Sequence, residues 1–195
     1  METLFQKQQS LLARTDLSFK RYMFDKIPWN SRMIGLIGPR GVGKTTMLLQ
    51  YIKEQKNKNI LYISADDIHF ANQRLTELAV DFYKNGGKHL FIDEIHKYKD
   101  WSVELKNMYD FYPDLKVFFT GSSVLDIRKG MADLSRRALI FSMQGFSFRE
   151  FLKFRHNMDV PVHSMKDILK NKISLLDCVE HPLPLFREYL KSGYY

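Results

Sequence analysis

The sequence predicts an α/β protein built on a five-stranded parallel sheet that is covered by helices. Two observations lead to this fold class. Five short apolar runs recur along the chain, and each is followed by a polar stretch that suits a helix; the runs begin at Met33, Ile60, Leu90, Val117 and Leu139. Short runs with little alternation are typical of strands buried on both faces, as in a parallel sheet between helical layers.

Helices are predicted in the connections between these runs, over residues 44–55, 71–84, 101–111 and 124–134. Asp100 is the expected N-cap of the third helix. After the last run only helical patterns remain. Ser147 and Glu150 have the spacing of a capping box, residues 166–179 suit a second helix, and Pro182 opens a third that Gly193 closes.

This pattern divides the chain into three predicted parts. Residues 1–32 form a basic helical lead-in, residues 33–146 form the α/β core, and residues 147–195 form a helical tail that is the start of a lid or second domain. With 195 residues, of which 45% are hydrophobic and 27% charged, the composition is that of a folded globular protein and excludes a disordered chain.

Cysteine content and apolar run length predict a cytoplasmic location. The single cysteine, Cys178, excludes an internal disulfide and a thiolate zinc cluster. The apolar runs fall far short of the roughly 18 residues that a membrane span needs. The N-terminal residues also lack the apolar segment of a signal peptide.

The charge distribution predicts a polyanionic partner. The net charge is +8, and residues 1–58 carry eleven basic side chains against four acidic ones. Weak contact with nucleic acid or with an acidic protein is expected through basic residues of the lead-in, namely Arg14, Lys20, Arg21, Lys26 and Arg32. In the alternative interpretation, these side chains pair with acids of the same chain or stay solvated.

The first apolar run is followed by a phosphate-binding pattern. Residues 38–45 satisfy G-x-x-x-x-G-K-[ST], in which glycines let backbone amides converge on phosphate oxygens at the start of a helix. Lys44 is expected to reach the β and γ phosphates, and the Thr45 hydroxyl to ligate Mg²⁺. The predicted nucleotide-binding residues are Gly38, Pro39, Arg40, Gly41, Val42, Gly43, Lys44, Thr45 and Thr46.

Two further strand ends carry side chains with predicted catalytic roles. Asp93 is expected to hold the Mg²⁺ shell, and Glu94 to orient and deprotonate the water that attacks the γ-phosphate. Ser122 is the preferred candidate for sensing that phosphate or its water, with Thr120 second. Arg137, just before the last strand, is the candidate arginine finger, in its own site or in a neighbour's.

The phosphate loop, the Asp93-Glu94 strand end and the Thr-Gly-Ser-Ser strand end at residues 120–123 together resemble the additional-strand P-loop ATPases, the branch that includes AAA and AAA+ proteins. Residues 38–46, 146–152 and 185–190 are more narrowly similar to a family of prokaryotic AAA-like ATPases. In that family the ATPase is followed by a C-terminal domain of unknown function. This chain has Arg136-Arg137 where those proteins usually have Gly-Arg.

The resemblance covers roughly residues 20–195. It implies the three-layer sandwich of P-loop NTPases with sheet order 5-1-4-3-2, and ATP as the nucleotide. Because the family continues into its second domain where this chain reaches Tyr195, the chain is interpreted as the ATPase portion.

Three functions are compatible with these residues. The first is Mg²⁺-dependent ATP binding and hydrolysis, used as a conformational switch or motor. The second is a nucleotide-binding signalling or DNA-associated module with little turnover. The third is a small-molecule kinase, which needs an arginine-rich lid and an acceptor pocket. No residue pattern selects the base of the nucleotide, and oligomerisation stays open.

Overall fold

The computed structural model describes residues 1–55, 59–71, 73–122, 133–170, 179 and 181–192. The chain forms two compact units, Met1–Gln144 and Gly145–Tyr195. Along the described ranges, no helix has both the length and the apolar character needed to cross a membrane.

The first unit contains a five-stranded sheet. Its strands are β1 (Met33–Ile37), β2 (Ile60–Ser64), β3 (His89–Asp93), β4 (Lys116–Gly121) and β5 (Leu139–Ser142). They lie in the order β2-β3-β4-β1-β5, and every neighbouring pair is parallel. The predicted order 5-1-4-3-2 is therefore confirmed. Because all strands run the same way, the loops that follow β1, β3 and β4 all lie at the carboxyl ends of the strands.

The apolar runs form strands because both faces of the sheet are covered. On one face, Leu61, Leu90 and Phe119 pack into a cluster with the helices that precede β3 and β4. On the other face, Ile34 and Phe118 pack against the helix that follows β1. The edge strand β5 is less protected, since Leu139 keeps 47% of its surface exposed.

Four helices of the first unit are α1 (Glu2–Arg14), α2 (Lys44–Glu54), α3 (Leu75–Lys84) and α4 (Trp101–Phe111). Helix α3 begins four residues later than predicted, because a 3₁₀ turn (Ile68–Ala71) and an extended Arg74 precede it. Most of the predicted helix 124–134 lies outside the described residues.

The prediction for Asp100 needs correction. Asp100 does occupy the N-cap position of α4, but its side chain makes no capping hydrogen bond. Its backbone is left-handed, with φ = 57°, whereas a capping side chain reaches the first-turn amides from an extended backbone.

Helix α1 of the lead-in covers the edge strand β2. Gln8 is buried, its amide nitrogen donates to the carbonyl of Ile60 (3.3 Å), and its amide oxygen accepts from the N–H of Tyr62 (2.7 Å). The side chain thus supplies the pairing that a further strand would give to β2.

The second unit is helical, with α5 (Phe148–His156), α6 (Met165–Leu169) and α7 (Pro182–Ser192). The predicted capping box is confirmed: Ser147 Oγ accepts from Glu150 N–H, and Glu150 accepts from Ser147 N–H. Phe151, Leu152 and Val160 form its small core. Cys178, Gly193 and most of the predicted helix 166–179 lie outside the described residues.

Candidate functional site

The phosphate loop leaves the carboxyl end of β1 and turns directly into α2. Gly38 passes so close to the chain after β5 that an added Cβ would lie 2.0 Å from the carbonyl oxygen of Met143. Gly43, the N-cap of α2, has φ = 96°, a conformation that side chains disfavour. Glycine is therefore required at both positions for the loop to close.

Lys44 lies inside this loop. Its ammonium group donates to the carbonyls of Gly38 (2.9 Å) and Pro39 (2.7 Å), and only 5% of the residue is exposed. Burial lowers the pKa of Lys44, while the carboxylates of Glu94 and Asp93 act in the opposite direction. A buried cation is thus held within the loop, close enough to the two acids at the end of β3 to feel their charge, although β4 separates β3 from β1.

Arg21 of the lead-in holds another part of the phosphate loop. Arg21 of the lead-in donates to the carbonyls of Val42 (2.7 Å) and Gln144 (2.9 Å), which joins the loop to the segment after β5. Val42 is buried, while Arg40 and Thr46 are exposed. The loop is therefore anchored on its inner side and open on its outer side.

Asp93 is the centre of a buried hydrogen-bond network at the end of β3. Its Oδ2 accepts from the Thr45 hydroxyl (2.7 Å) and from the Tyr62 hydroxyl (2.8 Å), and its Oδ1 accepts from the Thr120 hydroxyl. The carboxylate is 3% exposed. Three hydroxyl donors thus compensate the desolvation of one buried carboxylate and fix its orientation.

Glu94 follows in a left-handed conformation, with φ = 52° and ψ = 39°. Such a backbone is costly for a residue other than glycine and occurs often at functional sites. Its Oε1 accepts from the Ser122 hydroxyl (3.0 Å), and its Oε2 lies 3.4 Å from His96 Nε2. The Glu94 side chain is 27% exposed and so less buried than Asp93, and it is held by Ser122, which follows β4.

The structure brings together most of the residues predicted for the site. They lie at the carboxyl ends of the strands. Thr45 contacts Asp93, Ser122 contacts Glu94, and the charges of both acids act on the pKa of Lys44. Thr120 is fully buried, and its hydroxyl also accepts from the Glu94 N–H (3.0 Å). It therefore holds the side chain of Asp93 and the backbone of Glu94.

Sequence reasoning missed two residues of this site. Tyr62 lies in the middle of β2, where an apolar run gives no sign that one side chain carries a polar tip. His96 follows Glu94 by two residues, and only the left-handed turn folds it back. The spacing of His96 could have been noticed, whereas the orientation of Tyr62 requires the structure.

Arg137 lies away from this cluster. It precedes β5 and forms a two-pronged ion pair with Asp110 near the end of α4 (2.8 and 2.9 Å). The hydrogen bond from Arg137 holds the pKa of Asp110 below its ordinary value. Because β5 is parallel to β1, the beginning of β5 lies at the amino ends of the strands, whereas the phosphate loop lies at their carboxyl ends. Arg137 therefore lies away from its own phosphate loop, and a finger role in the site of a neighbouring copy stays a prediction.

Four basic side chains of the lead-in have partners within the first unit. Lys7 pairs with Asp67, and Lys20 pairs with Glu54. Arg21 holds the phosphate loop, and Arg32 lies on the ring of Tyr109 at 3.9 Å. Arg14 and Lys26 are exposed. Weak contact with nucleic acid or an acidic protein stays a prediction that rests on these two side chains, and a gel-shift titration at two salt concentrations tests it.

The donor set fits a magnesium–nucleotide complex. A loop closed by glycines with a buried ammonium group suits phosphate, and Mg²⁺ prefers hydroxyl and carboxylate oxygens such as those of Thr45 and Asp93. These two groups already lie 2.7 Å apart. The phosphate loop and the end of β3 therefore face one shared site.

Comparisons with known proteins identify the family of the chain. The profile of the family described as AAA domain matches residues 30–152. An uncharacterized protein of Methanocaldococcus jannaschii is 31% identical over 174 residues, which cover 82% of this chain and 36% of that protein. This chain thus spans little more than a third of the length of that relative.

A solved structure of low sequence identity shares the fold. A Walker-type ATPase of Pyrococcus abyssi is 18% identical with a TM-score of 0.50, and the match covers 90% of this chain and 68% of that one. AMPPCP-bound DnaA from Aquifex aeolicus is 12% identical with a TM-score of 0.48 over 95% of this chain and 62% of that one. Since the AAA domain profile spans well over half of the sequence, this chain belongs to that family, as a prokaryotic AAA-like P-loop domain.

Proposed function

We propose that the first unit binds Mg-ATP and hydrolyses it, and that the cycle serves as a conformational switch or motor. One observation carries the proposal: Thr45 of the phosphate loop contacts Asp93 at 2.7 Å, directly beside Glu94. The groups that a triphosphate, a divalent cation and an attacking water require thus lie at adjoining positions.

Each residue has a role that follows from its contacts. Lys44 exchanges its two carbonyl partners for phosphate oxygens, and the loop amides bind the same anion. Thr45 and Asp93 would hold Mg²⁺, which supplies charge neutralisation at the phosphates. Glu94 accepts the proton of the attacking water, and Ser122 orients the carboxylate through its hydroxyl.

The proposed switch is supported by the position of Met143. Its carbonyl lies against Gly38, its N–H donates to the carbonyl of Ile37 (2.7 Å), and it is fully buried. The chain enters the second unit two residues later, at Gly145. A change in the loop on nucleotide binding therefore acts on the segment from which the second unit begins.

Release of phosphate from ATP, without any added acceptor, tests the proposal. Wild-type protein should release phosphate only with Mg²⁺, and Asp93→Ala should weaken Mg²⁺-dependent binding. Thr3→Ala, in the outer part of α1, is the control and should leave both quantities unchanged. Binding without release would favour the low-turnover module, and release only with an added acceptor would favour a kinase. Absence of binding would contradict the proposal.

A further inference from the structure

His96 lies close to Glu94, the proposed base, and to Ser122, which orients the Glu94 carboxylate. Its side chain is only 9% exposed. Its Nδ1 accepts from the Ser122 N–H (3.4 Å), and its Nε2 lies 3.4 Å from Glu94 Oε2. Since Ser122 Oγ also donates to Glu94 Oε1 (3.0 Å), the three residues form a closed ring of contacts.

The ring selects one tautomer of His96. A nitrogen that accepts from a backbone N–H carries no proton, so in the neutral imidazole the proton is on Nε2. That nitrogen lies 3.4 Å from Glu94 Oε2. Each oxygen of the Glu94 carboxylate then has a donor group close to it: Ser122 Oγ is hydrogen-bonded to Oε1, and His96 Nε2 lies near Oε2.

The backbone fixes His96 in this place. The left-handed Glu94 starts a 3₁₀ turn (Ile95–Lys97), which is closed by a hydrogen bond from Lys97 N–H to the Glu94 carbonyl (2.9 Å). Ile95 is fully buried in the core and anchors the turn. The strained conformation of Glu94 therefore has a local consequence: it folds the residue two positions later back onto the carboxylate.

We propose that His96 is a positioning residue for Glu94, an inference that rests on the proposed function. Without His96, Oε2 loses its contact and the carboxylate turns about its remaining bond to Ser122. A general base must lie within hydrogen-bond reach of the proton it takes, and contacts of this kind are often long before the substrate binds. Small displacements at such a group cost on the order of 10- to 100-fold in rate.

Three substitutions of His96 separate positioning from a structural role. The amide nitrogen of His96→Gln reaches the place of Nε2 and restores the contact with Glu94. His96→Asn reaches only the place of Nδ1, and His96→Ala removes both contacts. We expect turnover to fall roughly 10-fold or more in His96→Asn and His96→Ala and to recover largely in His96→Gln. The Mg-ATP dissociation constant should stay within about twofold in all three.

A double-mutant cycle with Glu94→Gln tests the route of the effect. If His96 acts through Glu94, His96→Asn causes no further loss of turnover in the Glu94→Gln background. His181→Ala, an exposed histidine of the second unit, is the control and leaves turnover unchanged. Additive losses, or a joint fall in ATP affinity and thermal stability, would overturn the positioning role.

A measurement without nucleotide keeps this inference separate from the proposed function. The ¹⁵N chemical shifts of the imidazole nitrogens identify the tautomer, and His96→Gln assigns the signal. A proton on Nε2 is expected, and a proton on Nδ1 overturns the proposed contact. If wild-type protein neither binds nor hydrolyses ATP, the proposed function fails, whereas normal wild-type turnover with an unaffected His96→Ala overturns the role of His96 alone.

Discussion

The hydroxyl of Tyr62 donates a hydrogen bond of 2.8 Å to Asp93 Oδ2, and both residues are buried. Burial, followed by the negative charge of Asp93, raises the pKa of Tyr62 far above its ordinary value, so the phenol remains a donor. The backbone N–H of Tyr62 is in turn held by Gln8. A continuous path of contacts thus joins the first helix to the candidate metal ligand.

Tyr62→Phe should lower the free energy of unfolding by about 1.5–3 kcal/mol, because a buried hydrogen bond to a charged acceptor is lost. Denaturant unfolding measures this change. Tyr51→Phe is the matched control, since its ring stacks on Trp29 and its hydroxyl has no hydrogen-bond partner among the described residues. Equal effects of the two substitutions would show that the Asp93 contact contributes nothing to stability.

Gln8→Ala should destabilise the first unit by about 1–3 kcal/mol, because Ile60 C=O and Tyr62 N–H lose their partner at the sheet edge. The control is Gln9→Ala, which changes an exposed neighbour on the same helix. Thermal or denaturant unfolding of the two variants checks the difference. An unchanged stability in Gln8→Ala would mean that water satisfies the edge of β2.

Much of this fold could be predicted because strands buried on both faces appear in the sequence as short apolar runs. The run Met33–Ile37 forms β1 with the same bounds, and the other runs extend by only a few residues. The N-cap of α4 could not be predicted in the same way. Aspartate is common at N-caps, but only the backbone shows that Asp100 is left-handed and cannot reach the helix amides.

The site shows the same division between local pattern and tertiary contact. Thr45 and Asp93 are 48 positions apart in sequence, yet each could be identified because it belongs to a recognisable motif. Thr45 ends the phosphate-binding pattern, and Asp93 is the first acid after an apolar run. Tyr62 and His96 have no such motif. Their roles arise from a strand neighbour and from a strained turn, both of which are properties of the folded chain.

Lys44→Ala should abolish turnover and weaken ATP binding by at least about tenfold, because the loop loses its buried cation. Equilibrium binding of a fluorescent ATP analogue measures the affinity. Lys53→Ala on the same helix is the control, since its ammonium group instead contacts the carbonyl of Thr15 at 2.6 Å. Unchanged affinity and turnover in Lys44→Ala would remove the loop from the proposed site.

Arg137→Ala should lower turnover only where copies of the chain assemble, because Arg137 lies at the amino ends of the strands and its own phosphate loop at their carboxyl ends. Mixing Arg137→Ala with Glu94→Gln should restore turnover, since each variant supplies what the other lacks. Arg136→Ala provides the control for charge. If the mixture is no more active than its components, Arg137 does not act as a finger in a neighbouring site.

In the proposed function, Glu94 acts as the base in Mg-ATP hydrolysis and not as a ligand of the nucleotide. The most direct measurement compares wild-type protein with Glu94→Gln for both ATP affinity and phosphate release. Glu94→Gln should leave Mg-ATP affinity nearly unchanged and lower turnover by roughly 10²-fold or more, because an amide cannot accept the proton of water. Unchanged turnover, or an equal loss of affinity and turnover, would contradict the role of Glu94 as base.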